Sequence, residues 1–226
     1  MKVIAIIPAY NEEARILAAV ADAAGHVDAV VVVDDCSADA TGEQALAAGA
    51  YVLRHVINRG QGAALQTATD FAVRHLAADV IVHFDADGQM LGSEIPLMIA
   101  PIVSGEADIV LGSRFLGRRL ASSMPYSRWL ILKLGLIFTR LVSGIKTTDT
   151  HNGFRALSAD AAGKLHLTLD RMAHASEILD LIVVHKLRYV ERPVTIRYSA
   201  ETLAKGQSSL GSLLIAADFL KKRFLG

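Results

Sequence analysis

An α/β fold is what this sequence predicts: a single Rossmann-like domain with a mainly parallel central sheet and helices on both faces. Three observations carry the prediction. Short β-branched runs alternate with stretches of helical periodicity through the first half of the chain; a polar cluster follows each run; and 226 residues can bury one large core but are too few for two independent domains.

The first run, Val3–Ile7, is stopped by Pro8 and followed by a helical pattern over Glu12–Ala24. Ala29–Val33 precedes a helix over Thr41–Ala48, Tyr51–His55 one over Gln61–Leu76, and Val80–Phe84 one over Ser93–Val103. A fifth run, Asp108–Leu111, ends in Gly112-Ser113-Arg114-Phe115, and there the alternation breaks. The pattern then predicts a long helix over Pro125–Val142 and a polar loop over Thr147–Asn152. A short strand at Phe154–Leu157, helices over Ala159–Leu165 and Ala175–His185, and a strand over Arg188–Tyr198 follow. In the tail, residues 208–226, Leu210, Leu213, Leu214, Ala217, Leu220 and Phe224 form one helical stripe beside Lys221-Lys222-Arg223.

Charge narrows the range of functions. With 23 basic against 23 acidic residues the chain has no general pull toward nucleic acid, so any anion binding must be local. A lone Cys36 excludes an internal disulfide framework and a thiolate metal cluster, and it fits a reducing compartment, read here as the cytoplasm. The apolar start is stopped by Pro8 too early for a signal peptide. Trp129–Ile145 is the longest apolar stretch, yet it carries Lys133 and Arg140 and is short for a membrane span. Two readings stand for it: a buried helix, or one lying at a membrane surface with its cations toward the headgroups.

In sheets of this kind ligands gather at the carboxyl ends of the strands. The residues just after the runs are therefore the candidates for chemistry. Asp85-Ala86-Asp87-Gly88-Gln89 is the sharpest of them, because two carboxylates and an amide at alternate positions present hard oxygens to Mg²⁺ or Mn²⁺ and to a diphosphate bridged by it. Asp34-Asp35 offers carboxylates to a base or a ribose, with capping of the next helix by Ser37, Asp39 and Thr41 as the structural reading. Pro8–Glu12 supplies a sharp turn and an aromatic face, and Asn11 reads as the cap of the first helix. Asn58-Arg59-Gly60-Gln61-Gly62 opens a helix whose N-terminus favours anions.

These clusters, in their order and spacing, resemble glycosyltransferase family 2, the inverting nucleotide-sugar transferases of GT-A fold. The segments are Ile-Pro-Ala-Tyr-Asn-Glu-Glu, Val-Val-Asp-Asp-Cys-Ser, Asn-Arg-Gly-Gln-Gly, Phe-Asp-Ala-Asp-Gly-Gln, Gly-Ser-Arg-Phe and Asp-Thr-His-Asn-Gly-Phe-Arg. The likeness is greatest to the dolichol-phosphate-mannose synthase and polyprenyl-phosphate glycosyltransferase branch, and it runs from Val3 to about Leu210.

The resemblance implies a GT-A domain over residues 1–207, with a nucleotide-binding half to about residue 114 and an acceptor half beyond it. It implies that Pro8, Tyr10, Glu12, Val33, Asp34 and Asp35 border the nucleoside of a UDP- or GDP-sugar, and that Asp85, Ala86, Asp87 and Gln89 meet the diphosphate and metal. Asp87 and Gln89 are the foremost metal ligands, with Asp85 beside them. By the same likeness Arg114 and Arg128 face phosphate groups, and Lys205 closes over the diphosphate. Asp149, His151 and Asn152 lie on an acceptor-side loop, and Glu177 matches an acidic residue of the acceptor pocket, with structural capping as the rival reading for Asp149 and Glu177. The implied acceptor is polyprenyl phosphate and the implied place the inner face of a membrane; the amphipathic tail reads as resting on a bilayer or on a small membrane protein, with packing on its own core as the structural reading. A sugar hydroxyl as acceptor, or a non-catalytic role in a membrane complex, are the alternatives. A sugar-nucleotide pyrophosphorylase or a Rossmann oxidoreductase would need a glycine-rich loop after the first strand, where this chain has Pro8-Ala9-Tyr10-Asn11-Glu12.

Overall fold

Valine and isoleucine favour a pleated, buried surface, and the runs that contain them are the strands of one sheet. The computed structural model of the protein describes residues 1–116, 144–150, 152–169 and 174–197. In chain order the elements are β1 (Val3–Ala9), α1 (Glu13–Ala24), β2 (Ala29–Asp34), α2 (Thr41–Ala47), β3 (Tyr51–Arg54), α3 (Gln61–Leu76) and β4 (Val80–His83). A 3₁₀ turn at Gly92–Glu94 leads into α4 (Ile95–Val103), then come β5 (Ile109–Ser113), β6 (Arg155–Ser158), α5 (Ala159–Lys164), α6 (His174–Val184) and β7 (Tyr189–Pro193).

The strand order is β3-β2-β1-β4-β6-β5-β7. β6 is antiparallel to both of its neighbours, and every other pairing is parallel. All strands but β6 therefore end at the same edge. Alternation along β1 sends Val3, Ala5 and Ile7 to one layer, against Ile16 and Val20 of α1 and Ile95 and Met98 of α4. Ile4 and Ile6 go to the other, against Ala64, Leu65 and Ala68 of α3 and Ile178 and Ile182 of α6. Burial on both faces is what a parallel sheet requires, and it explains why these strands read as continuous apolar runs.

The expected elements are present wherever they fall on described residues, most with ends shifted by one or two residues, and two of the differences have a local cause. The last strand stops at Pro193 instead of running to Tyr198, because its partner β5 stops at Ser113, the residue paired with Pro193, and proline brings no amide donor to a ladder. The helix expected from Ser93 starts as a 3₁₀ turn and becomes α-helical at Ile95, with Pro96 in its first turn, where a missing N–H costs nothing. The helix expected over Pro125–Val142, all but the end of the Trp129–Ile145 stretch, and the tail 208–226 lie outside the described residues. Among the described residues no helix is long and apolar enough to cross a membrane.

Glycine is needed where backbones crowd. At Gly112 of β5 a Cβ would lie 2.8 Å from the Phe154 carbonyl oxygen and 3.0 Å from a Val194 methyl, whereas at Gly163 of α5 it would meet nothing within 4 Å. Gly112→Ala is expected to cost roughly 1–3 kcal/mol by overpacking. Gly163→Ala should instead stabilise by about 0.4–1 kcal/mol through a stiffer unfolded chain. Urea unfolding of the two variants beside the parent checks the contrast, and equal shifts in one direction would contradict it.

Candidate active site

The carboxyl edge of the sheet receives the ends of β1, β2, β4 and β5, and antiparallel β6 brings its first residue to the same place. Arg155 is in register with His83 of β4 and Leu111 of β5. Loops from distant parts of the sequence thus converge on one rim.

At the β1–β2 end the loops are stitched together. Asn11 takes a left-handed backbone (φ 54°), its amide donates to Ser37 Oγ at 2.9 Å, and its Oδ1 accepts from the Ala38 amide at 2.9 Å. The expectation that Asn11 caps α1 is therefore corrected: Glu12 precedes the helix, and no side chain caps it. Thr41 likewise turns away from capping and accepts the Glu12 amide at 2.8 Å, while Asp39 Oδ1 accepts the Thr41 amide at 3.0 Å. Glu12 Oε2 holds the Arg15 guanidinium at 2.6 Å. Tyr10 is half exposed on this rim, Pro8 is half-buried, and Val33 is fully buried in the layer against α3.

Asp34 is buried, with Oδ1 accepting the Ser37 amide at 2.8 Å and Oδ2 lying 3.5 Å from Arg54 Nε. Asp35 anchors the next loop. Its Oδ1 accepts the Arg59 amide at 2.9 Å and pairs with His55 Nδ1 at 2.7 Å, and its Oδ2 accepts the Gly60 amide at 2.6 Å. Gly60 has φ 91°, a conformation glycine adopts without strain. Asp35 thereby fixes the turn that opens α3 and aims Gln61 at the β4 loop, where Gln61 Nε2 donates to Asp85 Oδ1 at 3.0 Å.

The β4 loop folds on itself: Asp87 Oδ1 accepts the Gln89 amide at 2.9 Å, Gly88 has φ 73°, and the Gln89 carbonyl accepts the Arg197 amide at 2.9 Å. Ala86 and Met90 are buried beneath it. Burial, and then the nearby Asp87, push the Asp85 carboxyl up to about 7, against the opposing pull of Arg155 and Gln61. Burial also raises Asp87, against the Gln89 amide and Arg15. Carboxylates crowded in this way want a cation, and hard oxygens suit a divalent one. Among the described residues no cluster of three or more His, Cys, Asp or Glu side chains forms a complete metal cage.

On the other flank Arg114 grips Asp149 in a two-pronged pair, Nε to Oδ2 at 2.7 Å and Nη2 to Oδ1 at 2.8 Å, while the Arg114 amide adds a bond of 3.1 Å to Oδ2. Asn152 Oδ1 accepts the Phe154 amide at 2.9 Å, and its Nδ2 is buried without a hydrogen-bond partner. Glu177 accepts the Thr168 amide and hydroxyl on Oε1, at 2.9 and 2.6 Å, and the Leu169 amide on Oε2 at 2.9 Å, so it ties down the turn before α6 as a cap would. Arg128, His151 and Lys205 lie outside the described residues.

Residues given no role of their own in the sequence complete the rim, Gly153 and Arg155 among them although both belong to the Asp149–Arg155 segment. Arg155 is 2% exposed and burial lowers its guanidinium to about 10, against the support of Asp85 and Asp149. Burial, Arg155 and then His174 drive His83 well below the usual histidine range, so it is neutral at physiological pH. Gly153 stands where a Cβ would come within 2.6 Å of Asp85 Oδ2. A signal for two of these existed: His83 and Arg155 each interrupt an apolar strand, and a charged or polar residue in a buried strand must have a partner or a task.

The glycosyl transferase family 2 profile matches residues 4–165 of the chain. An uncharacterized protein of Methanocaldococcus jannaschii is 34% identical over 98% of this chain and 92% of its own length. A UDP-N-acetylglucosamine–dolichyl-phosphate N-acetylglucosaminyltransferase of Methanococcus voltae is 32% identical over 89% of this chain and 88% of its own. A dolichol-phosphate mannosyltransferase of Pyrococcus furiosus is 33% identical, over 92% of this chain and 60% of its own. Among solved structures, glucosyl-3-phosphoglycerate synthase of Mycobacterium tuberculosis, in complex with Mg²⁺ and UDP, superposes with a TM-score of 0.70 at 19% identity, over 96% of this chain and 79% of that one. That likeness is one of fold, and the fold is GT-A.

The bonds made by Asp35 generate a test. Asp35→Ala strands two amides and His55, and is expected to cost roughly 1–3 kcal/mol of unfolding free energy. Nucleoside diphosphate affinity, read by calorimetry, should fall with it, because the turn that opens α3 loses its anchor. An unchanged denaturation midpoint would assign Asp35 to the ligand alone.

Proposed function

Since the chain belongs to glycosyl transferase family 2 and is a glycosyltransferase, we propose that it moves a hexose from a UDP- or GDP-sugar to polyprenyl phosphate, inverting the anomeric carbon. The observation that carries this reading is the Asp85–Gln89 turn, a crowded pair of carboxylates at the end of a buried strand, beside a helix N-terminus. Support for the lipid acceptor comes from the relatives named above, whose names specify dolichyl phosphate, and from an undecaprenyl-phosphate mannosyltransferase of Micrococcus luteus that is 33% identical.

In this reading Pro8, Tyr10, Glu12, Asp34 and Asp35 border the nucleoside, Val33 backs them from the core, and Ala86 passes close to the diphosphate. Asp87, Gln89 and Asp85 hold Mg²⁺ or Mn²⁺, which when bound neutralises charge on the departing nucleoside diphosphate. The acceptor phosphate oxygen forms its bond to the anomeric carbon as the bond from that carbon to the donor's diphosphate oxygen breaks. Such an oxygen is anionic near neutral pH and needs no strong base. Asp149 is committed to Arg114 and is no candidate base; it holds that guanidinium rigidly for phosphate, whose oxygens suit arginine's planar fork. Arg128 and Lys205 add cations to the same phosphates, and His151 and Asn152 line the acceptor loop. Catalysis is then mostly positioning and electrostatics. Residues 1–207 supply this chemistry, and the tail 208–226 attaches the enzyme to the inner face of a membrane, on the lipid or on a small membrane protein.

Asp87→Asn and Gln89→Ala are each expected to lower transfer by at least about a hundredfold, the scale of losing a charge partner of the transition state. The fold should persist, because the Asp87 side chain bonds within its own turn, to the Gln89 amide. Undiminished activity in excess chelator contradicts the metal assignment. Deleting Ser212–Gly226 should abolish sedimentation with anionic liposomes, where Lys221, Lys222 and Arg223 add about 1 kcal/mol each. Nucleotide binding should be untouched. If the shortened chain instead glycosylates a water-soluble hydroxyl acceptor better than polyprenyl phosphate, the acceptor is an ordinary sugar.

A further inference from the structure

Arg155 is the first residue of β6, paired in register with His83 on one side and Leu111 on the other. It thus sits between the strand that leads into the Asp85 turn and the strand that leads into Arg114. Its side chain is 2% exposed, and Nη1 is buried with no hydrogen-bond partner. A guanidinium in this condition is a liability to the core, which an apolar chain of similar length would fill at less cost.

Two anions compensate it. The carboxylates of Asp85 and Asp149 both favour its charged form. Neither is spent on Arg155 alone, since Asp85 Oδ1 takes the Gln61 amide and Asp149 takes the fork of Arg114. The neighbouring Gly153 leaves open the space beside Asp85 Oδ2 that any other residue's Cβ would crowd. One short segment, Gly153–Arg155, therefore both clears room for the Asp85 carboxylate and sets a fixed positive charge near it.

We infer that Arg155 is a positioning residue of the transfer reaction, a buried cation shared between Asp85 on the donor side and Asp149 on the acceptor side that fixes the two carboxylates relative to each other. The inference rests on the reading that Asp85 belongs to the cation and diphosphate site. Through Asp85 it acts on the donor, and through Asp149 on the Arg114 fork that meets phosphate. A side chain kept only for packing would have neither effect.

The test compares Arg155→Met and Arg155→Lys with the parent, each as the full chain. Calorimetry measures UDP and GDP binding with and without Mn²⁺, and urea unfolding is followed in parallel. Arg155→Met should unfold at a lower urea concentration than the parent, since removing the cation alone leaves the Asp85 and Asp149 carboxylates buried without it. Its Mn²⁺-dependent nucleotide affinity should fall by about 10–100-fold, the usual loss when the partner that orients a metal ligand is removed. Binding without Mn²⁺ should stay unchanged. Arg155→Lys, which keeps the charge, should recover most of the lost affinity. Equal loss in the Lys and Met variants overturns the inference, as does an Arg155→Met variant that unfolds early yet binds normally, which makes Arg155 a packing residue; where Arg155→Met does not fold, an Arg155→Lys variant that folds but has lost the Mn²⁺-dependent affinity overturns it. Parent-like Mn²⁺-dependent binding in Arg155→Met overturns it while leaving the metal reading intact; a parent that binds nucleotide equally well without Mn²⁺ overturns both.

Discussion

A sheet buried on both faces has nowhere to put a charge except at its ends. β1, β2 and β4 pack against helices on either side, and Ile4, Ile6, Val31, Val33 and Ile81 are completely excluded from solvent. Polar chemistry is thereby driven to the carboxyl edge, where the strands run out and backbone donors are exposed. The polar residues gathered at the rim follow from that exclusion. The same burial that keeps the strands apolar also raises the Asp85 and Asp87 carboxyls and makes them receptive to a cation.

Once confined to a rim, the loops hold one another as well as resting on the core through residues such as Ala86 and Met90. They do so by side chain to backbone bonds across long stretches of sequence. Ser37, Thr41 and Asn11 lock the first two loops, and Asp35 locks the third. Asp35 then acts on the fourth at one remove, through the orientation of α3 and the Gln61 amide. Asp34 and Asp35 thus take up backbone donors that would otherwise be unpaired, whatever else they touch. Structural and ligand-binding roles are not alternatives for such residues, because a loop that is not held cannot present anything to a nucleotide.

The strands and most of the helices were legible in the sequence for a plain reason: β-branched runs alternate with helical periods, and Gln61–Leu76 falls on α3 residue for residue. The identity of the rim was legible too, since Pro8–Glu12 and Asp34-Asp35 span the ends of β1 and β2 and Asp85–Gln89 begins one residue beyond β4. What could not be read was direction and partnership. Phe154–Leu157 was expected as a strand, but nothing in four residues says that it runs against its neighbours. Only the antiparallel course brings Arg155 to the active edge; a parallel β6 would have carried it to the far side of the sheet. Asn11 was misjudged for a related reason. Its spacing suits a helix cap, yet the cap preference is local, and the bond to Ala38 that replaced it is not.

Antiparallel β6 also brings a second kind of charged group to the same rim. The parallel strands before it deliver carboxylates to the rim from their carboxyl ends, whereas β6 enters there and delivers a cation from its amino end. Because β6 lies between β4 and β5, that cation has the donor-side turn on one side and the Arg114–Asp149 pair on the other. A cation placed at the surface would be screened and would do little for either. Held in the interior it acts on both at low dielectric, at a cost to stability that a purely structural residue would have no reason to impose. The inserted strand is in this sense the hinge of the whole arrangement: it interrupts the parallel order of the sheet between β4 and β5 and carries a charge to the rim that they share.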